Sequence, residues 1–315
     1  MVVTGTSESP IIGLLGDEKL DQGRELLSCP IHHPKLNQVI EALPEFIRNF
    51  NLIPYRIETR QGELKGLILF YSPGTKQMYL RFVLRSKECV SRIQKLLPSL
   101  QARFPEIQCV SANIQPIPHA ILEGPEEIFV TQAHTIDHQL GTLVLKLAPQ
   151  AFVQTNVEVA TQLYQTAANW IAEIKPSMML ELFCGQGAFS FFAAKSATRI
   201  LGIEINEDAV NTANITAKNL KLAHLTFQCM DLQKEIPNWN ADLILVNPPR
   251  RGLGISVNLI EQQHPKYLVY SSCSVATLAK DLEKLGPRYQ IKKIGIFDLF
   301  PHTEHFETLV LLEMI

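Results

Sequence analysis

The second half of the chain alternates short, continuously apolar runs with segments of helical periodicity. The runs predicted as strands lie at 178–183, 200–205, 225–228, 243–246 and 267–270. Helices fit between several of them, at 208–219 and 275–285, and Asn156 is placed to cap an earlier helix. Strands of this kind, separated by helices, are typical of a parallel sheet that is covered on both faces. The pattern therefore predicts an α/β, Rossmann-like, doubly wound domain over residues 148–315.

The last two apolar runs, 291–297 and 308–312, leave no room for a helix between them. They are predicted to form an antiparallel hairpin at the edge of the mostly parallel sheet. A hairpin of this kind closes the sheet without another crossover helix.

Residues 1–147 mix β-like runs with short helices, which predicts a smaller α+β domain. Apolar residues at helical spacing predict a helix over 34–50, and Pro44 is expected to split it. An antiparallel meander is predicted from three β-like runs at 55–59, 64–71 and 78–84. Further strands are expected near 110–117, 127–131 and 142–147.

The composition indicates an intracellular enzyme. The chain has 315 residues, 46% of them hydrophobic, and a formal net charge of −2. No apolar run is long enough to span a bilayer, and the six cysteines are scattered, which predicts a reducing cytoplasm. No obligate protein partner is evident from the sequence.

One local basic run stands out from this balanced charge. It consists of Arg81, Arg85, Lys87, Arg92 and Lys95. Two interpretations stay open, a solvated strand edge and helix face, or a surface that binds RNA phosphates.

A glycine turn follows the first strand of the second domain. It contains Gly185 and Gly187, and Glu204 stands near the end of the next strand. Glycines let the backbone approach a ligand closely, and a carboxylate at this position can accept bonds from ribose hydroxyls. The third position of the dinucleotide fingerprint is Ser190 instead of glycine, which disfavours a nicotinamide cofactor. The turn therefore favours S-adenosylmethionine.

Three further polar groups fall at the carboxyl ends of predicted strands, where open parallel sheets bind ligands. Asn247 begins NPPRRGLG, Cys273 lies in YSSCS, and Glu307 begins the last strand. A cysteine can be a small core residue, but Cys273 is expected at a helix N-terminus, where the helix dipole should lower its pKa. This position favours a nucleophile. Glu304 competes with Glu307 for the role of base, and spacing alone does not separate them.

Two other features are assigned to structure. His302, His305 and Glu307 form a weak ligand pattern on a predicted loop, so no metal site is predicted. Cys184, inside the glycine turn, is expected to pack in the core.

Several segments together resemble the RNA uracil-C5 methyltransferase family. They are QAFVQTN, LELFCGQGAFS, GIEIN, LVNPPRRGLG, YSSCSVATLAKD and FDLFPHTEHFETL. Asn247 before PPRRG, ANIQP at 112–116 and the opening MVVTG resemble the branch that acts on 23S rRNA. The resemblance implies a uridine of 23S rRNA as substrate, Cys273 as nucleophile and Glu307 as base. It also implies an S-adenosylmethionine site lined by Gln154, Phe183, Glu204 and Asn247.

The same branch holds an iron–sulfur cluster with three closely spaced cysteines and a later fourth one. Cys29, in SCPIH, matches the fourth ligand, whereas Cys89 and Cys109 lie far from the expected spacing. The opening methionine matches an internal position of the family, so the first domain is expected to be truncated. We therefore expect that the chain as written binds no stable cluster.

Three alternatives remain. The chain could act on uracil C5 in tRNA or at another rRNA site. It could be an amino-group methyltransferase of the N6-adenine type, which also uses NPP, although such enzymes commonly place an aromatic residue where Arg250 stands. It could also be a non-catalytic relative that binds RNA.

Overall fold

The computed structural model describes residues 1–15, 23–117, 122–234, 239–254 and 256–315. The chain divides into two compact units, Met1–His138 and Gln139–Ile315. The second unit thus begins before the predicted boundary between residues 147 and 148. The difference arises because the strand Leu143–Leu147 packs against helices of the second unit.

The first unit is an α+β structure. Its strands are β1 (Val2–Gly5), β2 (Pro10–Leu15), β3 (Gly23–Glu25), β4 (Leu64–Ser72), β5 (Gln77–Leu84), β6 (Ile107–Ile114) and β7 (Glu126–Phe129), and its helices are α1 (Pro34–Asn49) and α2 (Val90–Arg103). The strands form a sheet of order β3-β2-β1-β4-β5-β6-β7 in which β5 and β6 are parallel and the other neighbours are antiparallel. The apolar faces of α1 and α2 join the sheet in one core.

Two local predictions for this unit are wrong. The helix α1 continues through Pro44, because its buried face, which includes Leu43 and Ile47, holds it on the sheet despite the missing backbone hydrogen bond. Residues 55–59 do not form a strand of the meander. Their segment contributes isolated bridges, Pro54 to Leu64 and Arg56 to Gln61, while β4 and β5 pair as predicted.

The basic run of the first unit is largely paired with acidic side chains. Arg81 is 2% exposed, and its guanidinium donates to both carboxylate oxygens of Glu127. The other ion pairs in this run are Arg81–Glu123, Arg85–Glu63, Lys87–Glu126 and Arg92–Glu88. These contacts favour a structural role for the run over a surface for RNA phosphates.

The boundary between the two units falls within β8 (Ile136–Leu140), which forms a two-stranded sheet with β9 (Leu143–Leu147) of the second unit. Its further strands are β10 (Met178–Leu182), β11 (Arg199–Glu204), β12 (Leu225–Cys229), β13 (Leu243–Val246), β14 (Tyr267–Ser272), β15 (Tyr289–Phe297) and β16 (Glu307–Met314). Its helices are α3 (Val157–Ile174), α4 (Ala188–Ala193), α5 (Glu207–Asn219), α6 (Ser256–Gln263) and α7 (Val275–Leu285). Asn156 caps α3, as predicted, because its side chain accepts a hydrogen bond from the Val159 amide.

The large sheet of this unit has the order β12-β11-β10-β13-β14-β16-β15. Neighbours from β12 to β14 are parallel, and β16 is antiparallel to both β14 and β15. Apolar cores lie on the two faces. The predicted doubly wound fold with an antiparallel terminal hairpin is therefore confirmed.

Strand order fixes where this sheet can bind a ligand. The chain runs outward from β10 to β11 and β12, then returns to place β13 on the other side of β10. The turns after β10 and β13 therefore diverge and leave a crevice at the carboxyl ends of the two strands, which is the usual ligand site of such sheets. Among the described residues, no helix is long and apolar enough to cross a membrane.

Candidate active site

The turn after β10 combines a strained residue with two glycines of different function. Phe183 has a φ of 59°, an unusual value for a bulky residue. Gly185 (φ 52°) and Gly187 (φ 77°) also lie in the left-handed region. A Cβ at Gly187 would fall 2.3 Å from the Phe227 ring, whereas a Cβ at Gly185 would have no described atom within 4 Å. Gly187 is therefore required for packing, and Gly185 borders open space that a ligand can occupy.

The carboxylate of Glu204, at the end of β11, is tied to this turn. One oxygen accepts a hydrogen bond from the Gly185 amide at 3.0 Å. The other accepts from the amides of Ile205 at 2.8 Å and Asn206 at 3.0 Å. A carboxylate has about four acceptor positions, so Glu204 retains capacity to accept a ligand hydroxyl. Its half-buried position at the crevice fits the ribose of S-adenosylmethionine.

The segment before α3 is fixed to the same two turns. Gln186 donates from Nε2 to the carbonyl of Phe152 at 3.0 Å, and Asn206 donates from Nδ2 to the carbonyl of Gln150 at 3.3 Å. Gln154, in this segment, is 5% exposed and makes no hydrogen bond to any residue that the structure describes. Its side-chain amide offers two donors and an acceptor, so Gln154 is suited to bind a polar ligand group.

The turn after β13 lies on the other side of the crevice. Leu182 of β10 is in register with Val246 of β13, so Phe183 and Asn247 leave the sheet at neighbouring strand ends. Asn247 is half-buried. The structure thus brings the turns that contain Phe183, Gly185, Glu204 and Asn247 to one edge of the sheet.

Cys273 and Glu307 meet at the same edge, one strand further along. Ser272 of β14 pairs with Thr308 of β16 at the end of their register, so Cys273, which follows Ser272, and Glu307, which precedes Thr308, lie at the same end of the two strands. Ser271 lies on the same face, and its hydroxyl donates to a Glu307 oxygen at 2.6 Å. The thiol and the carboxylate therefore form a local pair.

Burial sets the protonation of this pair. Glu307 is 1% exposed, and its burial raises the pKa of the carboxyl to about 7. A carboxylate with this pKa can exchange protons near neutral pH. Glu304 is exposed, which supports Glu307 as the base of the two.

The sequence-based expectation for the Cys273 pKa is wrong. Burial, followed by the negative charge of Glu307, raises the pKa of the thiol, and Arg250 acts in the opposite direction. Ser274, and not Cys273, caps α7, where its hydroxyl accepts from the Thr277 amide at 3.4 Å. A nearby cation favours ionisation of the thiol.

Four functional side chains were missed in the sequence. Glu181 of β10 is buried, which raises the pKa of its carboxyl to about 8, and it accepts hydrogen bonds from the backbone and hydroxyl of Ser190. An acid inside an apolar strand was the available signal for it. The other three are Ser271, which hydrogen-bonds Glu307, Arg250, whose charge acts on Cys273, and Asp281, which accepts a hydrogen bond from the Leu253 amide. Their roles depend on contacts between distant segments.

The part of the chain that the structure describes shows no evident metal site. Among the described residues, no group of three or more His, Cys, Asp or Glu side chains could hold a metal ion. Cys29 is half-buried, while Cys89 and Cys109 are buried in the first unit. These residues do not fit an iron–sulfur cluster, and no step is assigned to one. Cys184 packs in the core, as expected.

The doubly wound sheet, the glycine turn at its switch point and the acidic end of β11 define an S-adenosylmethionine-dependent methyltransferase. The crystal structure of the *Pyrococcus abyssi* tRNA (uracil-54, C5)-methyltransferase in complex with S-adenosyl-L-homocysteine has this fold. It matches with a TM-score of 0.80 and 23% identity, over 99% of this chain and 74% of that one.

The family follows from sequence comparisons. A sequence model described as tRNA (Uracil-5-)-methyltransferase matches residues 126–315. The 23S rRNA (uracil(747)-C(5))-methyltransferase RlmC of Proteus mirabilis (strain HI4320) is 40% identical over 319 residues, and that of Vibrio vulnificus (strain YJ016) is 42% identical over 317. Each alignment covers 99% of this chain and 83% of the relative. The chain belongs to the RNA uracil-C5 methyltransferase family.

Proposed function

We propose that this chain methylates C5 of uracil 747 in 23S rRNA, in the cytoplasm, with S-adenosylmethionine as the methyl donor. The names of relatives that align with 99% of the chain support this substrate. The observation that carries the proposal is the pair of Cys273 and Glu307 on one face of the sheet, beside the crevice. A thiol and a carboxylate with a raised pKa are the two groups that C5 methylation of uracil requires.

The residues of the crevice would bind the cofactor. Glu204 would accept from the ribose hydroxyls, and Gly185 would allow close approach through the open space beside it. Gln154, which is largely buried, would supply its side-chain amide, while Phe183 and Asn247 would line the two sides. When bound, S-adenosylmethionine supplies a methyl group attached to a positively charged sulfur.

Cys273 would begin the reaction. C5 of uracil is a weak nucleophile, so the thiolate first adds to C6 of a uracil flipped out of its RNA stack. A carbon–sulfur bond forms at C6, and the electron pair of the double bond passes to C5 and the C4 carbonyl as an enolate. C5 then attacks the methyl group, and S-adenosylhomocysteine leaves with the electron pair of the broken bond.

Glu307 would complete it. Its carboxylate removes the proton from C5, and the released electron pair restores the C5–C6 double bond. The C6–sulfur bond breaks, and Cys273 leaves as a thiolate. Ser271 would hold the Glu307 carboxylate in place through its hydrogen bond. The raised pKa of Glu307 makes this carboxylate a better base than an exposed one.

Methyl transfer from labelled S-adenosylmethionine to unmodified 23S rRNA tests the proposal. We expect one methyl group at C5 of uracil 747, located by digestion and mass spectrometry. Unmodified tRNA is tested in parallel, because the family description and the *Pyrococcus abyssi* enzyme both refer to tRNA. Methylation of tRNA alone would change the substrate, and methylated adenine would indicate an amino-group enzyme. RNA binding by the folded protein without transfer would indicate a non-catalytic relative.

A further inference from the structure

The turn after β13 brings a cation to the nucleophile. Strands β13 and β14 are parallel, with Val246 in register with Tyr270. The turns that follow them therefore leave the sheet side by side. Arg250, from the first turn, lies close enough to Cys273 in the second for its positive charge to lower the pKa of the thiol.

A buried carboxylate fixes the shape of this turn. The Gly252 amide donates to the Pro249 carbonyl at 2.8 Å, which closes the turn. Asp281 of α7 is buried, and its Oδ2 accepts from the Leu253 amide at 2.8 Å.

The same carboxylate also fixes the strand that precedes the nucleophile. Oδ2 of Asp281 accepts from the Tyr270 hydroxyl at 2.7 Å. Tyr270 lies three positions before Cys273, and α7 begins two positions after it. Asp281 thus links β14, which precedes Cys273, and α7, which follows it, to the turn that carries Arg250.

We propose that Arg250 is a positioning residue that stabilises the Cys273 thiolate, and that Asp281 holds the Arg250 turn in place for this purpose. Cys273 is next to Glu307, whose negative charge opposes ionisation of the thiol. A guanidinium near the sulfur offsets this effect. The role of the thiolate as nucleophile rests on the proposed function, whereas the effect of Arg250 on its ionisation does not.

The charged and titratable groups around the thiol come from three elements. Glu307 belongs to β16, Arg250 to the turn after β13, and Tyr270 to β14. Burial raises the pKa of Tyr270, so it stays neutral near pH 7. The pH dependence of the thiol is therefore governed by burial, by Glu307 and by Arg250.

Alkylation of Cys273 by iodoacetamide, in the absence of RNA and cofactor, tests the proposal. The rate is measured against pH by mass spectrometry of the peptide that contains Cys273, which separates it from the other cysteines. Removing a neighbouring opposite charge shifts a pKa by about one unit or more, so Arg250→Gln should react roughly tenfold more slowly at neutral pH. Its midpoint should move upward, and Arg250→Lys should restore part of the rate.

Arg251 provides the matched control. It is an exposed neighbour in the same turn, so Arg251→Gln should alkylate like the unmodified protein. The Asp281→Ala variant keeps both charges but releases the turn, and an intermediate rate is expected. Thermal unfolding checks that each variant is folded.

Equal alkylation profiles for Arg250→Gln, Arg251→Gln and the unmodified protein would overturn the inference. Unchanged alkylation with a loss of RNA affinity in Arg250→Gln would also overturn it, because Arg250 would then be a phosphate ligand. A shifted thiol midpoint in a protein that methylates no RNA would support the inference and refute the proposed function instead.

Discussion

Glu307→Gln separates the two halves of the proposed reaction. Glutamine has nearly the same shape, and its carbonyl oxygen can still accept the hydrogen bond from Ser271. The variant therefore keeps the site but removes the base. Addition of Cys273 and methyl transfer should continue, while release of the product should stop because the C5 proton remains.

The magnitude follows from the burial of Glu307. The side chain is 1% exposed, so bulk water has little access to replace it as a base. General base catalysis contributes about 10²–10⁴-fold, and elimination should slow by that factor. In the unmodified protein, elimination should slow as the pH falls below about 7, because the carboxylate becomes protonated.

Denaturing gel electrophoresis with labelled RNA and labelled methyl donor measures the outcome. Glu307→Gln should accumulate a protein–RNA adduct that already carries the methyl group. Glu304→Gln, which changes an exposed side chain, should turn over normally, and Cys273→Ala should form no adduct. Normal turnover of Glu307→Gln beside a stalled Glu304→Gln would transfer the role of base to Glu304. Full activity of Cys273→Ala would refute the covalent mechanism.

Three further predictions concern the cofactor site and stability. Glu204→Ala should weaken S-adenosylmethionine binding by roughly 1–3 kcal/mol, and calorimetry with unchanged affinity would exclude that role. Gly187→Ala should lower the free energy of unfolding by about 1–3 kcal/mol through its clash with Phe227, whereas Gly185→Ala should mainly reduce cofactor affinity. Denaturant unfolding and cofactor binding are measured on both variants. A loss of stability in Gly185→Ala together with a loss of affinity alone in Gly187→Ala would contradict this prediction. Burial raises the pKa of Glu307 from 4.5 to about 7, so ionisation lowers the stability of the folded state as the pH rises through that window. Above pH 7, the free energy of unfolding of Glu307→Gln should therefore exceed that of the unmodified protein by up to about 3 kcal/mol. The same difference between the two proteins at pH 5 and at pH 8 would rule this out.

The sheet of the second unit was predictable because its strands are buried on both faces. Continuous apolar runs such as Leu243–Val246 have few alternatives, and Asn156 marked the start of α3 with a specific hydrogen bond. Residues 55–59 were misassigned because their alternation of apolar and polar residues is typical of a strand but does not ensure pairing, and the segment makes only an isolated bridge from Arg56 to Gln61.

The contacts of the site depended on information that a linear pattern lacks. Arg81 looked like part of an exposed basic run, but residues more than forty positions later neutralise it. The pKa of Cys273 is likewise set by Glu307 and Arg250, which belong to other segments. Helix position alone gave the wrong sign, because burial and the neighbouring charge of Glu307 raise the pKa of this thiol.

The hydrogen bonds that Glu204 accepts from three backbone amides should also affect the thermodynamics of cofactor binding. The Gly185 amide is already hydrogen-bonded before any ligand arrives, so it should exchange with solvent deuterium more slowly than an ordinary loop amide. Because the turn is already ordered, it should lose little conformational entropy when the nucleoside binds. The turn acts as a preformed receptor, and cofactor affinity should vary little with solution conditions that change loop flexibility.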